Sequence, residues 1–109
     1  MKTIAQQLNI KEFPFQIKNE MNKVIYQERE DGFWFRKEYD SNNKQIYHEN
    51  SNGWWSKYKR NSKGKPLYYK TSEGWWEKFE YNHIGDEVYY EDSHGYVLQS
   101  TKEKLLTVL

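Results

Sequence analysis

Short runs of alternating apolar and polar residues fill the middle of the chain, each broken by a cluster of Gly, Asn, Asp and Ser. Ile46-Tyr47-His48-Glu49-Asn50 and Trp54 to Arg60 are typical, and their period of two predicts half-buried β-strands. The pattern recurs every 21 residues. Gly32, Gly53, Gly74 and Gly95 mark it without slippage, as do Tyr26, Tyr47, Tyr68 and Tyr89 and the pairs Phe33-Trp34, Trp54-Trp55 and Trp75-Trp76. A fixed period of this length signals a repeat architecture, each unit being one small supersecondary motif. Asn19 to Asn22 falls in step with Asp40 to Asn43, so the repeat opens with a half unit near Phe13.

Two turn signals alternate along the chain. Ser51-Asn52-Gly53, Ser72-Glu73-Gly74 and Ser93-His94-Gly95, with Glu30-Asp31-Gly32 as a variant, suit a three-residue hairpin loop closed by a left-handed Gly. Asp40 to Asn43, Asn61 to Gly64 and Asn82 to Gly85 start with a side chain able to bond the turn backbone and end on a residue that tolerates positive φ. Because neighbouring strand residues face opposite ways and 21 is odd, the two loops must differ in parity for equivalent residues to share a face. Three residues in the first loop and four in the second meet the requirement. A β-bulge does the same.

The expected fold is all-β, an antiparallel meander of about nine strands, either a curled open sheet or a small barrel. On this register Ile25, Ile46, Leu67 and Val88 share a face with Phe33, Trp54, Trp75, Tyr58 and Phe79. The opposite face carries Tyr26, Trp34, Arg36, Tyr47, Trp55, Lys57, Tyr68, Trp76, Lys78 and Tyr89, with Glu28, Glu49 and Glu91 among them. The chain reads as a single domain, 1–109, with an N-terminal segment (1–12), the repeat region (13–100) and a C-terminal segment (101–109). Thr3 to Asn9 suits a short helix N-capped by Thr3, with Ile4 and Leu8 on one side. Phe13 to Lys18 reads as a strand that Pro14 confines to an edge. Ser100 to Glu103 carries a capping-box pattern, and the aliphatic run after it is either a short helix or a further strand packed on the sheet.

Composition refines this picture. A mean hydropathy of −1.21 would suit a disordered chain, yet 18% of the residues are aromatic, enough to exclude water where aliphatics are few. The formal net charge of +1, from 17 basic and 16 acidic residues, selects neither nucleic acid nor an acidic partner. Without cysteine there is neither a disulfide nor a thiolate metal site. The opening residues lack the apolar core of a secretory signal and no stretch has transmembrane length, so the expectation is a cytoplasmic protein with no membrane partner.

The units YHENSNGWWSKYKRNSKGKP and EDGFWFRKEYDSNNKQ resemble tandem repeats in small proteins of phages and other mobile elements. Those have the general form Tyr-x-Glu-x-Ser-x-Gly-aromatic-Trp-x-Lys-x-Glu-Tyr-Asp-x-x-Gly. The resemblance covers Phe13 to about Ser100. Tyr39-Asp40-x-x-Asn43 and Tyr81-Asn82-x-x-Gly85 are more distantly similar to the YD repeats of bacterial shell-forming toxins, which are β-hairpin arrays. Arg60 stands where that pattern has Tyr, and Asn61 and Asn82 where it has Asp. The phage resemblance implies an accessory role in the host cytoplasm, such as inhibiting a host defence protein. It carries no catalytic residue.

The candidate site is the Tyr–Trp face named above. Regularly spaced Trp and Tyr with flanking Arg and Lys are the residue types that dominate interface hot spots, although the same rings are also what such a sheet needs to pack itself. Basic residues interleaved with aromatics suit single-stranded nucleic acid too, but Glu28, Glu49 and Glu91 cancel much of that field. His48, His83 and His94 do not recur at one position of the unit, so no metal site is expected, nor any cofactor. No glycine-rich phosphate loop or nucleophile constellation points to an enzyme. The reading is a non-enzymatic binding protein whose leading partner is a host protein. A carbohydrate- or nucleic-acid-binding module is the alternative, and self-association through sheet edges a third possibility.

Overall fold

A computed structural model describes residues 1–100; the predicted C-terminal segment lies outside the described residues. Helix α1 (Ile4–Gln7) is followed by β1 (Phe15–Lys18), β2 (Val24–Glu28), β3 (Trp34–Tyr39), β4 (Gln45–Asn50), β5 (Trp55–Arg60), β6 (Pro66–Thr71), β7 (Trp76–Tyr81), β8 (Glu87–Asp92) and β9 (Val97–Gln99). The strands follow one another in sheet order, β1 to β9, without a crossover. This is the expected all-β meander. Within that order β1 adjoins β2 alone and β9 adjoins β8 alone, so the sheet is open and the barrel alternative does not hold. Compactness divides the chain inside β5, giving one unit of Met1–Ser56 and another of Lys57–Leu109.

Both turn types form, and they are the same length. Asn50 N–H donates to the Trp54 carbonyl at 2.9 Å and Gly53 N–H to the Asn50 carbonyl at 3.0 Å, which encloses three residues. At the other end of the unit Asp40 N–H donates to the Lys44 carbonyl and Asn43 N–H to the Asp40 carbonyl, both at 2.9 Å, again enclosing three. The four-residue loop expected at Asp-x-x-Gly is therefore corrected to three. Each loop ends in left-handed backbone: φ is 89° at Gly53 and 63° at Asn43. The side chain of the first residue organises the second kind of turn. Asn19, Asp40, Asn61 and Asn82 each accept two backbone amides through Oδ1 at 2.9–3.1 Å.

With equal loops, a bulge must restore parity. Glu38 lies opposite Tyr47 but Tyr39 lies opposite Gln45, so the register skips Ile46. The same slip passes over Ile25 between β1 and β2, and over Val88 between β7 and β8. One extra residue per unit makes the odd repeat behave as even, and every equivalent side chain keeps its face.

The N-terminal segment forms its helix shorter than expected. Thr3 caps α1 in a reciprocal box with Gln6, and the helix ends at Gln7 rather than Asn9. Its buried residue is Ala5, whereas Ile4 and Leu8, expected to form its apolar side, are 37% and 60% exposed. β1 begins at Phe15, after a cis Phe13-Pro14 bond, and not at Phe13 as expected; it is an edge strand, although Pro14 lies outside it. Among the described residues the buried apolar side chains are Ala5 and Tyr26 alone. Trp54, Trp55, Trp75 and Trp76 are all half-buried.

Candidate binding face

Cross-strand pairing brings the predicted residues of the first unit into one row. Tyr26 lies opposite Arg36, Arg36 opposite Glu49, and Glu28 opposite Trp34. The rings of Tyr26 and Trp34 stack with centroids 5.9 Å apart at 28°. Arg36 Nε donates to Glu49 at 2.8 Å, its Nη1 lies 3.6 Å from Glu38, and its guanidinium sits 5.1 Å from the Tyr47 ring centroid. The Tyr47 hydroxyl donates to Glu49 at 3.2 Å. These contacts hold the Arg36 guanidinium above its ordinary pKa, through the Glu49 hydrogen bond first and then the Glu49 and Glu38 charges.

The second unit repeats the arrangement. Tyr68 lies opposite Lys78 and Lys78 opposite Glu91. Tyr68 and Trp76 stack at 6.4 Å and 17°, Lys78 Nζ sits 5.6 Å from the Trp76 ring, and the Tyr89 hydroxyl donates to Glu91 at 3.0 Å. Trp34, Tyr47, Tyr68, Trp76 and Tyr89 are half-buried, and Arg36 and Lys78 are exposed. Trp55 and Lys57 stand at alternate positions of β5, where the two units divide, with Trp55 half-buried and Lys57 exposed. The faces assigned from the parity argument are thus the faces observed for Tyr26, Trp34, Arg36, Tyr47, Tyr68, Trp76, Lys78 and Tyr89.

Tyr26 differs from its equivalents because α1 covers it. Only 6% of it is exposed, and burial followed by the hydrogen bond and charge of Glu28 pushes its pKa up to about 12. Glu28 itself is 2% exposed and accepts the Thr3 hydroxyl at 2.5 Å, the Ala5 amide at 3.1 Å and the Tyr26 hydroxyl at 2.9 Å. Burial raises its pKa, but the three donors outweigh burial and leave the carboxyl below its ordinary value. The reason for this contact lies in the repeat. Glu49 has Arg36 across the strand and Glu91 has Lys78, whereas Glu28 has Phe15. With no base opposite, the capped turn of α1 supplies the donors. Tyr26 is therefore covered and stacked against Trp34, with little of its own surface exposed.

Sequence reasoning gave the serines a place only in the turn. Ser51 N–H donates to the Trp34 carbonyl at 2.9 Å while its Oγ accepts Trp34 N–H at 3.1 Å, and Ser93 does the same for Trp76 at the same distances. Each serine extends the ladder to the hairpin before it and fixes the first Trp of the face. The opposite face is aromatic as well. His48 lies 5.6 Å from Phe35 and 5.5 Å from Trp54, and burial, then the Lys37 charge opposite, lowers its pKa. Tyr90 lies 5.3 Å from Phe79, and its hydroxyl meets Glu77 at 2.8 Å and Asp92 at 3.2 Å. Burial and these two carboxylates raise its pKa. Equivalence of His48 and Tyr90 across two periods was the signal available for this second aromatic row.

Among the described residues no group of three or more His, Asp or Glu side chains is placed to hold a metal ion. No helix among them is long and apolar enough to cross a membrane. No protein-family model matches the chain, and no curated protein matches it.

Proposed function

We propose that the chain is a non-enzymatic binding protein that recognises a host protein through its Tyr–Trp face, in the manner of a phage- or mobile-element-encoded inhibitor acting in the host cytoplasm. The observation that carries this reading is the repeated row of a Trp stacked flat on a Tyr beside an exposed base. Trp34 on Tyr26 with Arg36, and Trp76 on Tyr68 with Lys78, present half-open rings already held in place. Rings pre-set in this way lose little freedom on binding, and Trp, Tyr and Arg are the side chains that concentrate interface energy. The same geometry weighs against single-stranded nucleic acid. Arg36 is already bonded to Glu49, and Lys78 faces Glu91, so acidic groups would stand beside any phosphate track.

The test uses the full chain and a Trp34→Ala/Trp76→Ala variant as baits against host lysate. Both rings are half-open, so the variant is expected to stay folded, as checked by its melting curve. One host protein retained by the parent and released by the variant supports the reading. Equal retention by the variant, salt-sensitive oligonucleotide binding, polysaccharide retention or self-association alone contradicts it in favour of the other classes.

A further inference from the structure

Arg36, Lys57 and Lys78 hold one position of the repeat, and one period before Arg36 the same position holds Phe15. That position lies across the strand from a glutamate: Arg36 opposite Glu49, Lys78 opposite Glu91, and Phe15 opposite Glu28. The other cross-strand neighbour of Glu28 is Trp34, which carries no charge either. The first unit thus keeps the acid of the series and has lost its base.

The N-terminal turn stands in for that base. Thr3 Oγ1 donates to Glu28 Oε2 at 2.5 Å and Ala5 N–H donates to Oε1 at 3.1 Å. The hold of α1 on the sheet is narrow. A helix of four residues does not persist by itself, and its one buried residue is Ala5, with Ile4, Gln6 and Gln7 exposed. Two cavities of about 370 and 470 Å³ share Ile4, Tyr26 and Arg36 as walls, so α1 does not fill the space over this end of the face. Beneath it lies Tyr26, whose equivalents Tyr47, Tyr68 and Tyr89 are half-buried and not covered to this depth.

We infer that α1 is a displaceable strap, lifted when the protein bound at the Tyr–Trp face brings an Arg or Lys side chain of its own to Glu28. The inference rests on the reading of that face as a protein-binding surface. A guanidinium or ammonium gives the carboxylate charge-assisted hydrogen bonds in place of the Thr3 and Ala5 donors. The repeat shows how such a base is received, since Arg36 is bonded to Glu49 and sits 5.1 Å from the Tyr47 ring centroid. Glu28 and Tyr26 offer the same acid and ring. Lifting the strap also opens Tyr26 beside Trp34 and lengthens the contact surface.

The test uses the full chain and needs no host protein. Phe15→Arg returns a base to the repeat position, and hydrogen exchange at the Leu8 and Ile10 amides, which donate to the Ile4 and Ala5 carbonyls, reports on α1. Exchange at both is expected to be about tenfold faster or more than in the parent and in Phe15→Met, which loses the ring without gaining the charge, with the β3–β4 ladder still protected. The parent is also titrated with acetyl-arginine amide at constant ionic strength, with acetyl-citrulline amide as the neutral counterpart. A saturable NMR shift of the Ala5 amide with arginine alone, lost in Glu28→Gln, supports the inference, and this titration decides if Phe15→Arg does not fold. Equal exchange in Phe15→Arg and Phe15→Met, no saturable response to arginine, or a response that citrulline or Glu28→Gln reproduces overturns it. A failed host-lysate experiment with the arginine response intact refutes the protein-binding reading alone. A successful one without that response refutes the strap alone.

Discussion

Replacing Glu28 by Gln is expected to release the N-terminal segment from the sheet. The native carboxylate is 2% exposed and holds three donors, from Thr3, Ala5 and Tyr26. Hydrogen bonds to a charged group contribute about 1.5–3 kcal/mol each after exchange with water. Gln retains one acceptor oxygen and turns an NH2 toward the other side of the network, where the Thr3 hydroxyl is able to accept. One charge-assisted bond is lost and the others weaken, a cost of about 2–4 kcal/mol. Glu28→Ala costs more, because it strands the Ala5 amide and Tyr26 hydroxyl, at about 1–3 kcal/mol for each buried donor. The assay is urea denaturation together with hydrogen exchange at Leu8 and Ile10, whose amides donate to the Ile4 and Ala5 carbonyls. Faster exchange at these two amides, with the β3–β4 ladder still protected, marks local release of α1. A Gln variant with the parent's urea midpoint and the parent's protection at Leu8 and Ile10 would refute the reasoning.

Three further outcomes follow from the same geometry. Gly53→Val should destabilise by about 1–3 kcal/mol although no neighbour crowds the new side chain, because φ there is 89°; an unchanged melting temperature contradicts the turn assignment. Asn43→Gly should be neutral or slightly stabilising by thermal melt, since Gly64 and Gly85 hold the same left-handed position, and a clear loss would mean that the Asn43 side chain carries the turn. Stability should fall with acid in two windows. His48, whose folded pKa is depressed, contributes stability above its unfolded value of about 6.5 that is lost as pH falls through the folded value. Glu28, also depressed, adds a second loss below its unfolded value of about 4.3, which urea melts across pH should show in the parent and not in Glu28→Gln.

Much of the strand layout was legible because the period repeats each local signal. Four glycines and four Asn or Asp residues, each set recurring every 21 residues at its own place in the unit, marked both turns and the strands between them. The loop length was not legible. A four-residue turn and a three-residue turn beside a bulge contain the same number of residues, and Ile46 at the bulge is an ordinary strand former. Parity still placed Tyr26, Trp34, Arg36 and Tyr47 on one face, since either device changes the count by one. Depth is a separate matter from face. Alternation tells which residues share a face, and Trp54 and Trp55, on opposite faces of β4–β5, are both half-buried. The docking of α1 has its sequence signal at Glu28. Glu28 is the one carboxylate in the Tyr-x-Glu series whose cross-strand position holds Phe15 in place of a base.

The register between β3 and β4 is the most direct measure of how the repeat works, because a slip of one residue exchanges the faces. A single isotope-edited NOESY spectrum decides it. With the bulge at Ile46, the Tyr47 ring should show contacts to the Arg36 side chain, and the His48 ring to those of Phe35 and Trp54. Contacts from Tyr47 to the Phe35 ring and from His48 to Arg36 would contradict the bulge, the shared face and the binding surface built on it.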